Sequence, residues 1–400
     1  MTAQATVRTP GAPRPRLLYL DNLRTLLIIL VILTHLAITY GAEGSWYYNE
    51  EGSTTLAGAV LMTLMNAINQ SFFMGFFLMI SAYFVPGSYD RKGPARFMGD
   101  RLKRLGIPFL FQILLIDPII IYILDRRGGF QGGIGEFLNH YVHREGLGTG
   151  PLWFLEVLLI FSAAYVVWRL LTRGPAADPS DSSRSEGARV PTAPGNLAIL
   201  LVALAIAGVN FLVRVRWPVG TFWEPLHFQL AQYAQYPTYF VIGILAYRRG
   251  WLAGLKRAQG RLWMWVAIVL APVFVAIGVL GGALEGNLDA MLGGPTWQSL
   301  AYCTWKQLMG AAMTMTLLVN FRERLNHQGR LAATMSASAY AVFVVHMPVI
   351  VLLALALSGI RFDMGLKFLV VAPIAVALCF LVATGLRKLP GGATPSIAVH

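Results

Sequence analysis

Residues 17–41, LLYLDNLRTLLIILVILTHLAITYG, decide the fold. About 20 apolar residues rising 1.5 Å each cross roughly 30 Å of hydrocarbon, so this run is long enough to span a bilayer. It nevertheless carries Asp21, Arg24 and His35. An ionisable group near the centre of a span costs about 2.5–3.5 kcal/mol or more, which makes such groups functional candidates. The spacing of Arg24 and His35 puts them within roughly 20° of one helix face and about 16 Å apart along the axis. Asp21 joins that face one turn below Arg24. One polar stripe on an otherwise lipid-like helix is expected to face a protein interior or a wet cavity. A plainer reading stands beside this one. Asp21 and Arg24 lie near one end of the run, where snorkelling and an i,i+3 ion pair are ordinary. His35 could likewise be a packed, hydrogen-bonded structural histidine.

The rest of the chain extends the membrane reading. Of 400 residues, 56% are hydrophobic and only 13% charged, about half the roughly 25% of a soluble domain. A soluble fold of this size needs more charge to cover its surface. The apolar runs are continuous and lack the alternation of outer-membrane strands. The expectation is an all-α integral membrane protein of about ten transmembrane helices. The two cysteines, Cys303 and Cys379, fall in apolar runs and imply neither a disulfide framework nor a zinc site. The first run exceeds a typical signal-peptide core and is followed by no convincing cleavage site.

Taken in order, residues 1–16 form a basic, Pro/Arg-rich tail read as disordered. A single transmembrane domain is expected over 17–388, followed by a short tail, 389–400. After the first span comes a loop near 42–56, then a long span over 57–86. A strongly basic loop carrying Arg91, Lys92, Arg96, Arg101, Lys103 and Arg104 leads to the third span, 105–124. A Gly-rich loop, 125–150, contains His140 and His143. The fourth span opens at GPLWFLEVLLIF and ends near 171. The polar Pro/Ser/Gly tract 173–195 reads as a flexible loop. Further spans are expected at 196–213, 230–247, 262–282, 297–320, 331–357 and 366–386.

Ten spans put both termini on one side. Twenty-three of the 32 Lys and Arg residues fall on the terminal side and six on the other. Basic loops stay cytoplasmic, so both termini are expected in the cytoplasm and His35 toward the outside. The net charge of +13 is thus an orientation and anionic-lipid signal, and no nucleic-acid partner is implied. His140 and His143 lack partners at metal-site spacing, so no metal is expected.

Five ordered pieces carry a family resemblance. YLDNLRTLLIILVILTH resembles the first-span signature of membrane acyltransferase family 3, a basic residue followed after ten positions by His. FFLMISAYF, RLKRLGIPF, PLWFLEVLLIF and SAYAVFVVHMPVI resemble its later motifs, in the same order. QYPTYFVIGILAYRRGWL looks like the branch containing the osmoregulated periplasmic glucan succinyltransferases. Two positions depart from the pattern. Ala82 stands where members often have Gly, and the O-acetylating branch carries its Glu two residues after the position of Glu156.

The resemblance implies transfer of an acyl group, acetyl or succinyl, from cytoplasmic acyl-CoA to a hydroxyl of an extracytoplasmic glycan or other sugar. The setting would be a bacterial inner membrane. It places His35 at the catalytic position, as general base or transient acyl carrier, with Arg24 and Asp21 on its stripe. Arg101 and Arg104 match the R-x-x-R motif and suit CoA phosphates, with Ser81 nearby in the second-span motif. Trp153, Glu156 and His346 are the candidates for the acceptor. Trp153, Phe154, Trp217, Phe222 and Trp223 read either as an interfacial aromatic belt or as a sugar-stacking wall. Two rivals remain open from the residues alone. One is a transporter or flippase of a lipid-linked sugar, although no internal repeat is visible. The other is a structural subunit of an envelope complex.

Overall fold

The computed structural model of the protein describes residues 16–144, 148–172, 192–223, 229–283 and 285–388. The tails and most of the 173–195 tract, on which two sequence expectations fall, lie outside the described residues. The regular elements among the described residues are all helices. In order the helices are α1 (Leu18–Thr39), α2 (Leu56–Tyr83), α3 (Val85–Arg127), α4 (Ile134–Arg144) and α5 (Trp153–Leu171). Then come α6 (Asn196–Arg216), α7 (Gln235–Arg248), α8 (Trp251–Gly254) and α9 (Arg257–Leu280). The last are α10 (Asp289–Leu292), α11 (Trp297–Arg324), α12 (Arg330–Leu357) and α13 (Met364–Lys388).

Among the described residues eight helices are long and apolar enough to cross a membrane, and the chain is a multi-pass membrane protein. Two expected spans are helices that fall outside those limits. Helix α7 has 14 residues, about 21 Å at 1.5 Å per residue. Helix α11 has 28, but its buried face includes Lys306, Gln307 and Thr314. It packs against α1, α2, α6, α9 and α10. A helix enclosed by protein can carry polar groups that lipid would exclude.

Two stretches read as loops are helical. The basic segment after α2 continues as helix to Arg127, kinked at Gly93, whose φ of 72° is in the glycine-favoured region and which precedes Pro94. Tyr89 and Phe97 are buried and anchor this stretch; its charge density masks those two contacts in the sequence. Residues Ile134–Arg144, inside the Gly-rich loop, form α4, whose Phe137 and Tyr141 are buried.

Helix α1 lies at the centre, against α2, α11, α12 and α13. It is apolar nearly all round, the pattern of a helix enclosed on every side. Helix α9 is the opposite case: Leu262, Trp265, Ile268 and Val269 point outward, as a lipid-facing helix requires. The two ends of the bundle differ in charge. At one end Asn22 donates to the Leu325 carbonyl at 2.7 Å and Arg248 pairs with Asp90 at 2.7 Å. At that same end Arg322 donates to the Leu252 carbonyl at 2.6 Å. At the other end the Thr55 N–H donates to Asp363 at 2.8 Å, and Lys367 pairs with Glu50, both side chains nearly fully buried.

Close backbone approach sets the packing of α2. A Cβ on Gly310 of α11 would lie 2.5 Å from the Ser71 carbonyl, which accepts the Gln235 amide at 2.6 Å. Gly243 of α7 similarly faces Met79 and Ala82. The small residue that Ala82 lacks is thus supplied by the partner helix. Gly310→Ala should cost about 1–3 kcal/mol, the usual penalty for overpacking, and lower the melting temperature. Gly385→Ala, with open space around it, should be neutral. Equal melts for the two variants would contradict the close α2–α11 contact.

Candidate active site

The polar stripe of α1 faces the protein interior. Asp21, 8% exposed, accepts from Arg24 at 3.2 Å and Arg16 at 2.6 Å. The plain ion-pair reading of Asp21 and Arg24 is therefore correct as far as it goes. The same two residues also line a cavity of about 280 Å³. Ser81, Arg101 and Arg104 share its wall, as do Lys92 and Asp100, themselves paired at 2.5 Å. Arg104 sits in a π-helical turn, Leu102–Gly106, a wide turn that often marks a functional position. The Tyr340 hydroxyl donates to the Arg104 carbonyl and ties that turn to α12.

One end of this cavity is basic and the other aromatic. Phe77, Phe154 and Phe343 line it too. Residue order along α2, α5 and α12 places them farther from the basic end than Ser81, Leu158 and Ser336. The three rings touch: Phe77 meets Phe154 edge-on at 5.0 Å, and Phe154 meets Phe343 at 5.7 Å. Beyond them Phe343 stacks on His346 at 5.7 Å, His346 on His35 at 5.2 Å, and His35 on Trp46 at 3.8 Å. His35 is not on the cavity wall. It stands two ring contacts past it, on the same helix as Arg24.

The histidines are poised by their neighbours. His346 Nδ1 lies 2.7 Å from the Phe343 carbonyl, which can only accept, so Nδ1 carries the hydrogen and Nε2 keeps its lone pair. His346 Nε2, His35 Nδ1 and Trp46 Nε1 are buried without a hydrogen-bond partner. Each such atom costs about 1–3 kcal/mol. Three of them around one aromatic stack form a place that a ligand hydroxyl or carbonyl would satisfy.

Trp46 is itself held. Its ring meets Tyr47 edge-on at 5.2 Å. The Tyr47 hydroxyl donates to Asp117 Oδ1 at 2.8 Å, and Gln112 donates to the same oxygen at 2.7 Å. Burial and the Asp117 carboxylate both hold the Tyr47 phenol well above its ordinary pKa, so it remains a donor. Sequence reasoning missed this support. Asp117 is an ionisable group in an apolar run, the same signal that singled out His35. Trp46, Tyr47 and Tyr48 sit just past the C-terminal end of α1.

Among the other expected residues, Trp153 stacks on Tyr236 at 5.1 Å and meets Phe154 at 6.2 Å, one ring removed from the cavity. Glu156 lies within electrostatic reach of Tyr233. Trp217, Phe222 and Trp223 are exposed and apart from the Phe77–Phe154–Phe343 set. The five aromatics that the sequence offers as either a belt or a sugar-stacking wall thus do not form one wall: Trp153 and Phe154 lie by the cavity and the other three apart from it.

The family model described as an acyltransferase domain matches residues 17–385, and the chain belongs to that family. Among curated proteins it is similar to glucans biosynthesis protein C of Salmonella schwarzengrund and of Salmonella heidelberg, 26% identical over 247 residues in each case. The protein of that name from Salmonella gallinarum is 26% identical over 244 residues. Each alignment covers 59% of this chain and 60% of the relative, so the chain spans about three-fifths of those relatives' length. No solved structure matches.

The support under Trp46 makes a prediction about stability. Tyr47→Phe removes one of two donors to a buried carboxylate and should cost about 1–3 kcal/mol. Asp117→Asn keeps an acceptor oxygen for both donors and should cost less. Thermal melts of the two variants decide this; the reverse order would mean that the Asp117 charge, and not its hydrogen bonds, matters.

Proposed function

We propose that this member of the acyltransferase-domain family is an inner-membrane O-acyltransferase. It moves an acyl group from cytoplasmic acyl-CoA to a hydroxyl of an extracytoplasmic glycan. The observation that carries the reading is the continuity from an arginine-lined cavity, through a short aromatic stretch, to two stacked histidines. The names of the relatives favour a glucan as acceptor. The charge distribution favours the basic end of the bundle as the cytoplasmic face.

Arg101 and Arg104, with Arg24 below them, suit the phosphates of CoA, since guanidinium forks bind phosphate through charge-assisted hydrogen bonds. The pantetheine arm then runs along Ser81 and Tyr340 toward Phe77, Phe154 and Phe343, which exclude water from the thioester. About 16 Å of helix separates Arg24 from His35, a gap that a long, flexible arm can bridge.

His35 acts on the reacting atoms. As general base it takes the proton of the acceptor hydroxyl while the oxygen attacks the thioester carbonyl. The carbon–sulfur bond breaks, and the CoA thiolate leaves and takes up the proton. As a transient carrier, His35 instead attacks first, releases CoA and passes the acyl group to the hydroxyl. In either route the bare Nε2 of His346 is next in line to accept a proton. Trp46, Trp153 and Glu156 frame the acceptor side.

Loss of a general base typically lowers a rate by about 10²–10⁴. His35→Gln should fold normally, bind acyl-CoA and lose transfer to a glucan acceptor by that factor. The double variant Arg101→Ala with Arg104→Ala should do the reverse. Each charge-assisted contact contributes about 1.5–3 kcal/mol, so acyl-CoA affinity should fall tenfold or more while the histidine stack stays intact. Assays on purified, thermally checked protein would refute the assignment if His35→Gln turned over at near wild-type rate. Unchanged acyl-CoA affinity in the double variant would remove Arg101 and Arg104 from the donor site.

A further inference from the structure

The interface between α6 and α11 buries two cations that the acyl-transfer reading does not use. Arg214 is 0% exposed and Lys306 1% exposed. All three guanidinium nitrogens of Arg214 lack a hydrogen-bond partner. The face of the Tyr302 ring lies 5.1 Å from the guanidinium carbon, and the neutral Cys303 thiol sits beside it; neither is a countercharge. Lys306 donates to the Gln232 side-chain oxygen. The two cations are near enough to repel one another. No Asp or Glu among the described residues pairs with either.

The polar atoms around them are unsatisfied as well. Asn210 lies one turn before Arg214 on the same buried face of α6, and both of its amide atoms are unpartnered. Ser299, one turn from Cys303 on α11, has a buried hydroxyl in the same condition. A guanidinium keeps its charge at any physiological pH. Burying it with every donor idle is among the most costly arrangements a fold can hold. Proteins keep such groups where a partner arrives from outside.

We infer that Arg214 and Lys306 form an oxyanion-binding site, built for the carboxylate or phosphate of a ligand that enters from the end of the bundle opposite the basic one. A planar fork beside a point cation, with amide and hydroxyl donors around them, matches either group. The roof over the site is thin. The Gly294 N–H donates to the Arg214 carbonyl at 3.0 Å and the Val219 N–H to the Leu292 carbonyl at 2.9 Å. Residues Asp289–Leu292 form only a four-residue helix. The inference stands apart from the acyl-transfer reading, because neither residue touches the cavity or the histidine stack.

The test uses the full chain purified in detergent. Thermal melts are run with inorganic phosphate or with succinate at fixed ionic strength, and native mass spectrometry is run for a retained anionic phospholipid. A melting temperature raised by phosphate or succinate assigns the site to a soluble oxyanion; one retained lipid assigns it to a headgroup. In either case Arg214→Gln and Lys306→Gln should each weaken binding tenfold or more, with acyl-CoA binding unchanged. Should Arg214→Gln fail to fold, Lys306→Gln carries the comparison. The inference is overturned if the wild type binds none of these probes. It is also overturned if Glu224→Gln, at the acidic residue ten positions after Arg214 in the sequence, destabilises the protein as much as Arg214→Gln, since the countercharge would then be the chain's own.

Discussion

His35 stacks on Trp46 at 3.8 Å and on His346 at 5.2 Å, and it can do so only because α1 is enclosed by four other helices. Hydrocarbon offers nothing to a charge or an imidazole, so each polar group on α1 must find its company within the protein. Asp21 and Arg24 find each other at the basic end. His35 finds aromatic rings at the other. The arrangement of α2, α11, α12 and α13 around α1 follows from that need, and glycine contacts such as Gly310 against Ser71 bring the helices close enough to meet it.

The same constraint explains a division of labour along one helix. Near Arg24 the wall is charged and a cavity of about 280 Å³ opens. Near His35 the wall is aromatic, and three buried polar atoms have no partner. A ligand with an anionic head and an apolar, reactive tail fits this order. The proposed donor has that character, with its phosphates at the arginines and its thioester toward the histidines. Trp46 covers one face of His35, and Asp117 holds Trp46 in place through Tyr47.

Much of this was legible in the sequence, for definite reasons. The stripe Asp21, Arg24, His35 was readable because helical periodicity fixes which residues share a face. The cavity residues Arg101, Arg104 and Ser81 were readable through ordered motifs, and the structure does bring them to the wall that holds Arg24. Their helical setting was not, because the buried anchors Tyr89 and Phe97 are hidden among charges. The link from His35 to His346 joins residues more than 300 positions apart, and no local pattern encodes it. Trp46 and Tyr47 lie in a stretch that reads as a loop, where no periodicity marks them, and Asp117 is marked only by the cost of a carboxylate in an apolar run. The aromatic residues of the 217–223 loop looked like partners of Trp153 by composition alone; packing separates them.

The central claim is that the donor enters at the basic face and the acceptor is modified at the opposite one. It is tested most directly in proteoliposomes of determined orientation, with isotopically labelled acyl-CoA on one side and a glucan on the other. The account predicts labelled ester on the glucan only when acyl-CoA is supplied at the face bearing Arg101 and Arg104. Transfer from either face, or from the opposite face alone, would contradict it.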